Sequence, residues 1–196
     1  IGVLTGCLQE ALLEKEYPEV EVLRFDFDTD MLQSLLAKRC DAIVMDSHIF
    51  LYHTQNLKGI KTLDTPLVTA EMGVCFGKGQ HVELRQQFNE FLKKIKADGT
   101  YDEIYNRWMY HANEAEMPEI QMPKDGEPIR VATNSTAPPL VFIKDGKLVG
   151  HDIELANRFA ASIGRRIEWS DMNFSALIPA LVSGNYDMIV SGVNIT

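Results

Sequence analysis

Apolar residues fall into two kinds of run along the chain. Short β-rich stretches, IGVLTG (1–6) and EVEVLRF (19–25), alternate with QEALLEKEY (9–17) and TDMLQSLLAKR (29–39), where apolar positions recur at helical spacing. Pro18 stops the first helix, because it lacks the N–H and clashes with the preceding turn. Asp28 or Thr29 supplies a side-chain cap for the second helix. DAIVMD (41–46) is a continuous apolar run, as in parallel strands buried on both faces. The order β-α-β-α-β predicts right-handed crossovers and a parallel sheet.

The same order returns later. IRVATNST (129–136) reads as strand then loop, and VFIKDGKLVG (141–150) as a hairpin turning on Asp145-Gly146. An amphipathic helix, DIELANRFAASIG (152–164), closes on Gly164. RIEWSDM (166–172), FSALIPALVSG (174–184) and DMIVSG (187–192) follow as strand, helix and buried strand. Between the halves, PLVTAEMGVCFGKG (66–79) reads as one or two strands. Two helices follow at 82–99 and 100–109, the second rich in aromatics that pack. The acidic, proline-bearing segment 110–128 lacks periodicity and reads as a linker.

The composition suits a globular protein, with 45% hydrophobic and 24% charged residues among 196. A net charge of −9 argues against a nucleic-acid surface. No apolar run reaches the length of a membrane helix. Ile1 is not a natural start, which leaves room for an export signal upstream. Three cysteines without a CxxC pair exclude a fully paired disulfide framework. The cysteines read first as small buried hydrophobes, with a reactive thiol at Cys7 as the alternative, because a helix start lowers thiol pKa values. The histidines show no ligand spacing, and the calcium-loop opening Asp26-Asp28-Asp30 is broken by Met31 and Ala37. Neither a metal nor a cofactor is expected.

In open parallel sheets, ligands bind beyond the C-terminal strand ends, near helix N-termini. That rule selects Gly6 and Cys7 after the first strand and Asp46 after the third. In the second half it selects Asn134 and Thr136, then Phe174, then Ser191, Gly192 and Asn194. Backbone N–H groups after Gly6 are placed to hold a carboxylate. Asp46 either holds an ammonium or caps the helix that follows, and Phe174 is either a ligand platform or a core aromatic. Such a set suits a zwitterion.

GKLVGHDIELANRFAASIG and NFSALIPALVSGNYDMIVSGVNIT resemble the first lobe of the periplasmic amino-acid-binding proteins of ABC transporters, solute-binding family 3. IGVLTGCLQE, CDAIVMD and KADGTYDEIYNRW resemble that family's second lobe and closing helices. The resemblance implies a two-lobed α/β clamshell, each lobe a mostly parallel sheet flanked by helices, with the lobe order permuted. Residues 1–75 match the second lobe, 76–109 the return strand and closing helices, and 129–196 a truncated first lobe. Two origins of that order compete, a circular permutation and a piece of a tandem array, and the end at Thr196 favours the second. The family's carboxylate-gripping arginine falls beyond Thr196. Leu8 and Ala137 also depart from the family pattern, standing where a hydroxyl residue and an aromatic are usual.

The implied function is capture of an amino acid or similar small polar solute for an ABC permease, outside the cytoplasm. The alternatives are the sensing domain of a membrane receptor, anchored through a longer parent, and a dehydratase-like enzyme of the same fold. Against the enzyme, the selected groups offer one carboxylate and no partner for proton transfer. The long linker also permits lobe exchange between two chains.

Overall fold

A computed structural model describes residues 1–54 and 59–195. The chain divides into two units. The first comprises Ile1–Gly73 with Asn173–Ser175 and the residues from Asn194 on; the second comprises Val74–Met172 and Ala176–Val193.

In the first unit, β1 (Gly2–Leu4), α1 (Leu8–Glu16), β2 (Leu23–Phe25), α2 (Asp28–Leu36) and α3 (Ser47–Thr54) follow one another. β1 pairs in parallel with β2 from Gly2↔Leu23 to Leu4↔Phe25. On its other side a parallel bridge joins Gly2 to Ile43. There the Gly2 N–H donates to Ala42 O (2.8 Å) and the Val44 N–H to Gly2 O (2.9 Å). The parallel β-α-β-α-β order is therefore as predicted, but the strands are shorter. The runs 19–25 and 41–46 shrink to Leu23–Phe25 and one bridge because β1 has only three residues to offer. Val3 and Met31 are fully buried at the centre, with Leu13 and Leu32 beside them. α1 ends at Tyr17, just before Pro18. The N-cap of α2 is Phe27, with no side-chain bond, so neither Asp28 nor Thr29 caps it. Asp28 is instead the first helical residue.

The remaining elements are β3 (Met72–Cys75), α4 (Val82–Ala97), α5 (Thr100–His111), β4 (Pro128–Thr133), β5 (Thr136–Ala137), β6 (Val141–Lys144), β7 (Lys147–Val149), α6 (His151–Ser162), β8 (Arg166–Asp171), α7 (Phe174–Val182) and β9 (Met188–Asn194). One sheet has the order β3-β9-β4-β8, with β4 parallel to both β8 and β9. A second sheet, β5-β6-β7, contains the predicted hairpin. Its turn residues Asp145 and Gly146 both have positive φ, 52° and 73°, as a type I′ turn requires.

Helices α4, α5 and α6 pack through aromatics. Phe159 sits 5.0 Å from Phe88 and 5.6 Å from Phe91, centroid to centroid. Trp108 is fully buried, edge-on to Phe142. Irregular backbone fills 112–127. Its start is anchored by Lys144, whose Nζ donates to the carbonyls of Ala112 (3.4 Å), Asn113 (2.8 Å) and Ala115 (2.7 Å). These are carbonyls at and beyond a helix C-terminus, which lack intrahelical donors.

Candidate functional site

The first unit brings together Gly6, Cys7, Asp46, Phe174 and Asn194. Gly6 has φ +79°, and a Cβ there would lie 3.3 Å from Ser175 Cα, so both conformation and close approach require glycine. The Cys7 Sγ accepts from the Glu10 N–H (3.4 Å) and caps α1. The alternative of a reactive, low-pKa thiol at Cys7 is not what its surroundings give. Burial pushes the thiol up and outweighs the backbone bonds from Glu10 and Gln9, while the charges of Glu10 and Asp46 add to the rise. Ahead of α1, the Gly6 amide already has an anionic partner. The Gly6 N–H donates to Glu10 Oε2 (2.6 Å), and the other oxygen of Glu10 accepts from Arg24 Nε (2.5 Å).

Asp46 is half-buried between two amides. Gln9 Nε2 donates to its Oδ1 (2.9 Å), and the Asn194 side chain also bonds it. Burial pushes its pKa up; nearby His48 and the two amide bonds pull it down, and burial prevails. Among the described residues no Lys or Arg pairs with it. The Asp46 carbonyl accepts the Phe50 N–H (3.0 Å) at the start of α3, so helix initiation uses its backbone and leaves the carboxylate to Gln9 and Asn194. Gln9, 5% exposed on α1, was not among the predicted residues. A lone glutamine at a helix start carries no signal of its partner. Phe174 is half-buried at the first position of α7.

The second unit gathers Asn134, Thr136, Ser191 and Gly192. The Asn134 N–H donates to Ser191 Oγ (3.0 Å), its side-chain amide to Met172 O (2.9 Å), and Thr136 Oγ1 to Asn134 Oδ1 (2.7 Å). Asn134 and Ser191 are 3% and 2% exposed, and their polar atoms bond each other, the Thr136 hydroxyl and backbone. Ser191, Gly192 and Asn194, predicted to follow a strand end, lie inside β9. The strand continues between β3 and β4, and side chains add to its bonds. Thr133 Oγ1 donates to Val190 O (2.6 Å), and the Gly192 N–H donates to Asp152 Oδ2 (2.8 Å).

Two further features lie outside these sets. Glu154, fully buried, accepts from Arg107 Nη1 (2.6 and 2.8 Å), Trp108 Nε1 (2.7 Å) and Arg158 Nε (2.9 Å). A groove of about 710 Å³ runs between α4, residues 119–121 and the end of α6, and none of the predicted residues lines it. Among the described residues no group of three or more His, Cys, Asp or Glu is placed to hold a metal. No described helix is long and apolar enough to cross a membrane.

The sequence profile of the bacterial extracellular solute-binding proteins, family 3, matches residues 9–111 and 129–196. The chain belongs to this family. A glutamine-binding protein of a Bacillus subtilis ABC transporter is 31% identical over 104 residues, 53% of this chain and 38% of that protein. A putative arginine-binding protein of an Escherichia coli ABC transporter is 28% identical over 116 residues, 55% of this chain and 46% of the relative. A probable histidine-binding protein of Campylobacter jejuni is 41% identical over 68 residues, 35% of this chain and 27% of the relative. The chain thus spans less than half the length of these family 3 relatives. An ancestral arginine-binding protein solved with arginine is 39% identical, covering 40% of this chain and 33% of that one, with a TM-score of 0.35. The two α/β units are those of the periplasmic-binding-protein fold typical of family 3.

Proposed function

We propose that this chain captures a small zwitterion of the amino-acid class for an ABC importer, without converting it chemically. One observation carries the reading. Asp46 is a half-buried carboxylate positioned by two amides and free of any Lys or Arg partner among the described residues. Such a group suits an ammonium, which contributes both charge and directed N–H donors. The half-buried ring of Phe174 supplies an apolar platform in the same unit. The names of the glutamine-, arginine- and histidine-binding relatives support the ligand class.

On this reading, residues 1–75 act as the family's second lobe, 76–109 as return strand and closing helices, 110–128 as a linker and 129–196 as the first lobe, in permuted order. The partner is a permease, or the membrane part of a receptor, and the compartment is extracytoplasmic.

Calorimetric titration with the twenty L-amino acids at pH 7.5 tests it. At least one binds, and Asp46→Asn weakens that binding by about tenfold to a hundredfold, as expected for loss of a charged hydrogen bond. Silence across the panel overturns the reading.

A further inference from the structure

Asp28 is 2% exposed, and its Oδ2 has no hydrogen-bond partner among the described residues. It opens α2 next to the carboxylate of Asp46, which Gln9 and Asn194 hold in place. A buried oxygen without a donor is costly to the fold, which points to a role beyond packing. Helix capping does not supply one, since the N-cap is Phe27.

We propose that Asp28 is a second carboxylate of the recognition centre at Asp46, giving the pair a negative charge that a cationic group of the solute neutralises. Asp28 acts as a positioning and charge-setting residue and need not touch the ligand. This assignment rests on the proposed capture of an ammonium-bearing solute.

Electrostatics support the pairing. Burial, and then the Asp46 charge, push the Asp28 carboxyl up to about 6. The unliganded pair therefore holds a proton on Asp28 below that pH. A cation settling beside Asp46 favours the ionised form and expels the proton. Affinity then rises with pH, by linkage. Other titratable groups around the pair are His48 on α3 and Cys7 and Glu10 on α1. α2 itself carries the exposed Asp30. β1 has no titratable side chain, and Arg24 of β2 is engaged by Glu10 and Glu14. His48, if protonated, would oppose a cation in the same pH range, so it is controlled for separately.

The probes are L-glutamine, L-arginine and L-histidine, titrated calorimetrically from pH 5 to 7.5 in buffers of differing ionisation heat. The expected result is about tenfold tighter binding at pH 7 than at pH 5, with a proton released near pH 6. Asp28→Asn flattens that profile and lowers affinity at pH 7, whereas His48→Gln leaves most of the slope. Carbon-13 NMR of the Asp28 carboxyl in the unaltered chain gives a variant-free check, with its titration moving downward when the ligand saturates. Binding that depends on Asp46 but shows no proton release, or an unchanged slope in Asp28→Asn, overturns the Asp28 assignment alone. No binding of any probe and none across the wider amino-acid panel overturns both.

Discussion

Each unit buries a carboxylate almost completely, and the two are treated in opposite ways. Glu154, in the second unit, accepts four hydrogen bonds from Arg107, Trp108 and Arg158. Asp28, in the first, has an oxygen with no donor among the described residues and another carboxylate for a neighbour. A buried charge is tolerated when paired and hydrogen-bonded and is costly otherwise. Glu154 therefore reads as architecture, a knot tying α5 to α6. Asp28 is a local liability that stability alone would remove. The difference separates a carboxylate that holds the fold from one that the fold must accommodate.

The sharpest way to break this contrast is to remove Glu154. Glu154→Ala leaves Arg107 and Arg158 facing a vacated buried position and should cost about 3–5 kcal/mol, read by urea unfolding. A cost below about 1 kcal/mol would show that the knot is not structural.

The opposite sign is expected for Asp28. Its raised carboxyl keeps a proton between about pH 4 and 6 that the unfolded chain releases, so its contribution to stability falls as pH rises through that window. Asp28→Asn should then stabilise the chain at pH 7 by about 1–2 kcal/mol and give no gain at pH 4. A loss of stability at pH 7 would mean that the helix N-terminus benefits from this charge more than burial penalises it.

A smaller effect sharpens the account of the second unit. Lys144→Met removes the donor shared by three carbonyls at the end of α5. It should cost about 1 kcal/mol, with amide exchange accelerated at residues 112–116. Smallest is Cys7→Ser, which replaces a weak thiol cap with a preferred hydroxyl and should add about 0.5 kcal/mol. A loss there would indicate that packing of the sulfur outweighs its capping.

Much of the fold was legible from local signals. Pro18 ended α1, Asp145-Gly146 made the hairpin turn, and apolar spacing located α4, α6 and α7 because those faces pack against a sheet or a neighbouring helix. Strand extent was not legible, since the length of the run 41–46 says nothing of how few residues β1 offers for pairing. The candidate site was half legible. The strand-end rule picked out Asp46, Asn134 and Ser191, but it could not reveal that Asn134 and Ser191 bond each other. Neither Asp28 nor Thr29 is the side-chain cap that local preference suggests, and the environment of Asp28 is set by burial and then by Asp46, eighteen positions on. The Glu154 knot joins residues 46 and 47 apart in sequence, beyond any periodicity.

On the proposed capture of a zwitterion, the first turn of α1 bears on how the solute's acid end is accommodated. Glu10 already occupies the Gly6 amide, so the helix arrives with a tethered competitor in that seat. A visiting carboxylate must evict it, and release of Glu10 would leave Arg24 with only Glu14 as a partner. Loading at that end would then exchange one anion for another, tuned by the strength of a contact the chain makes with itself.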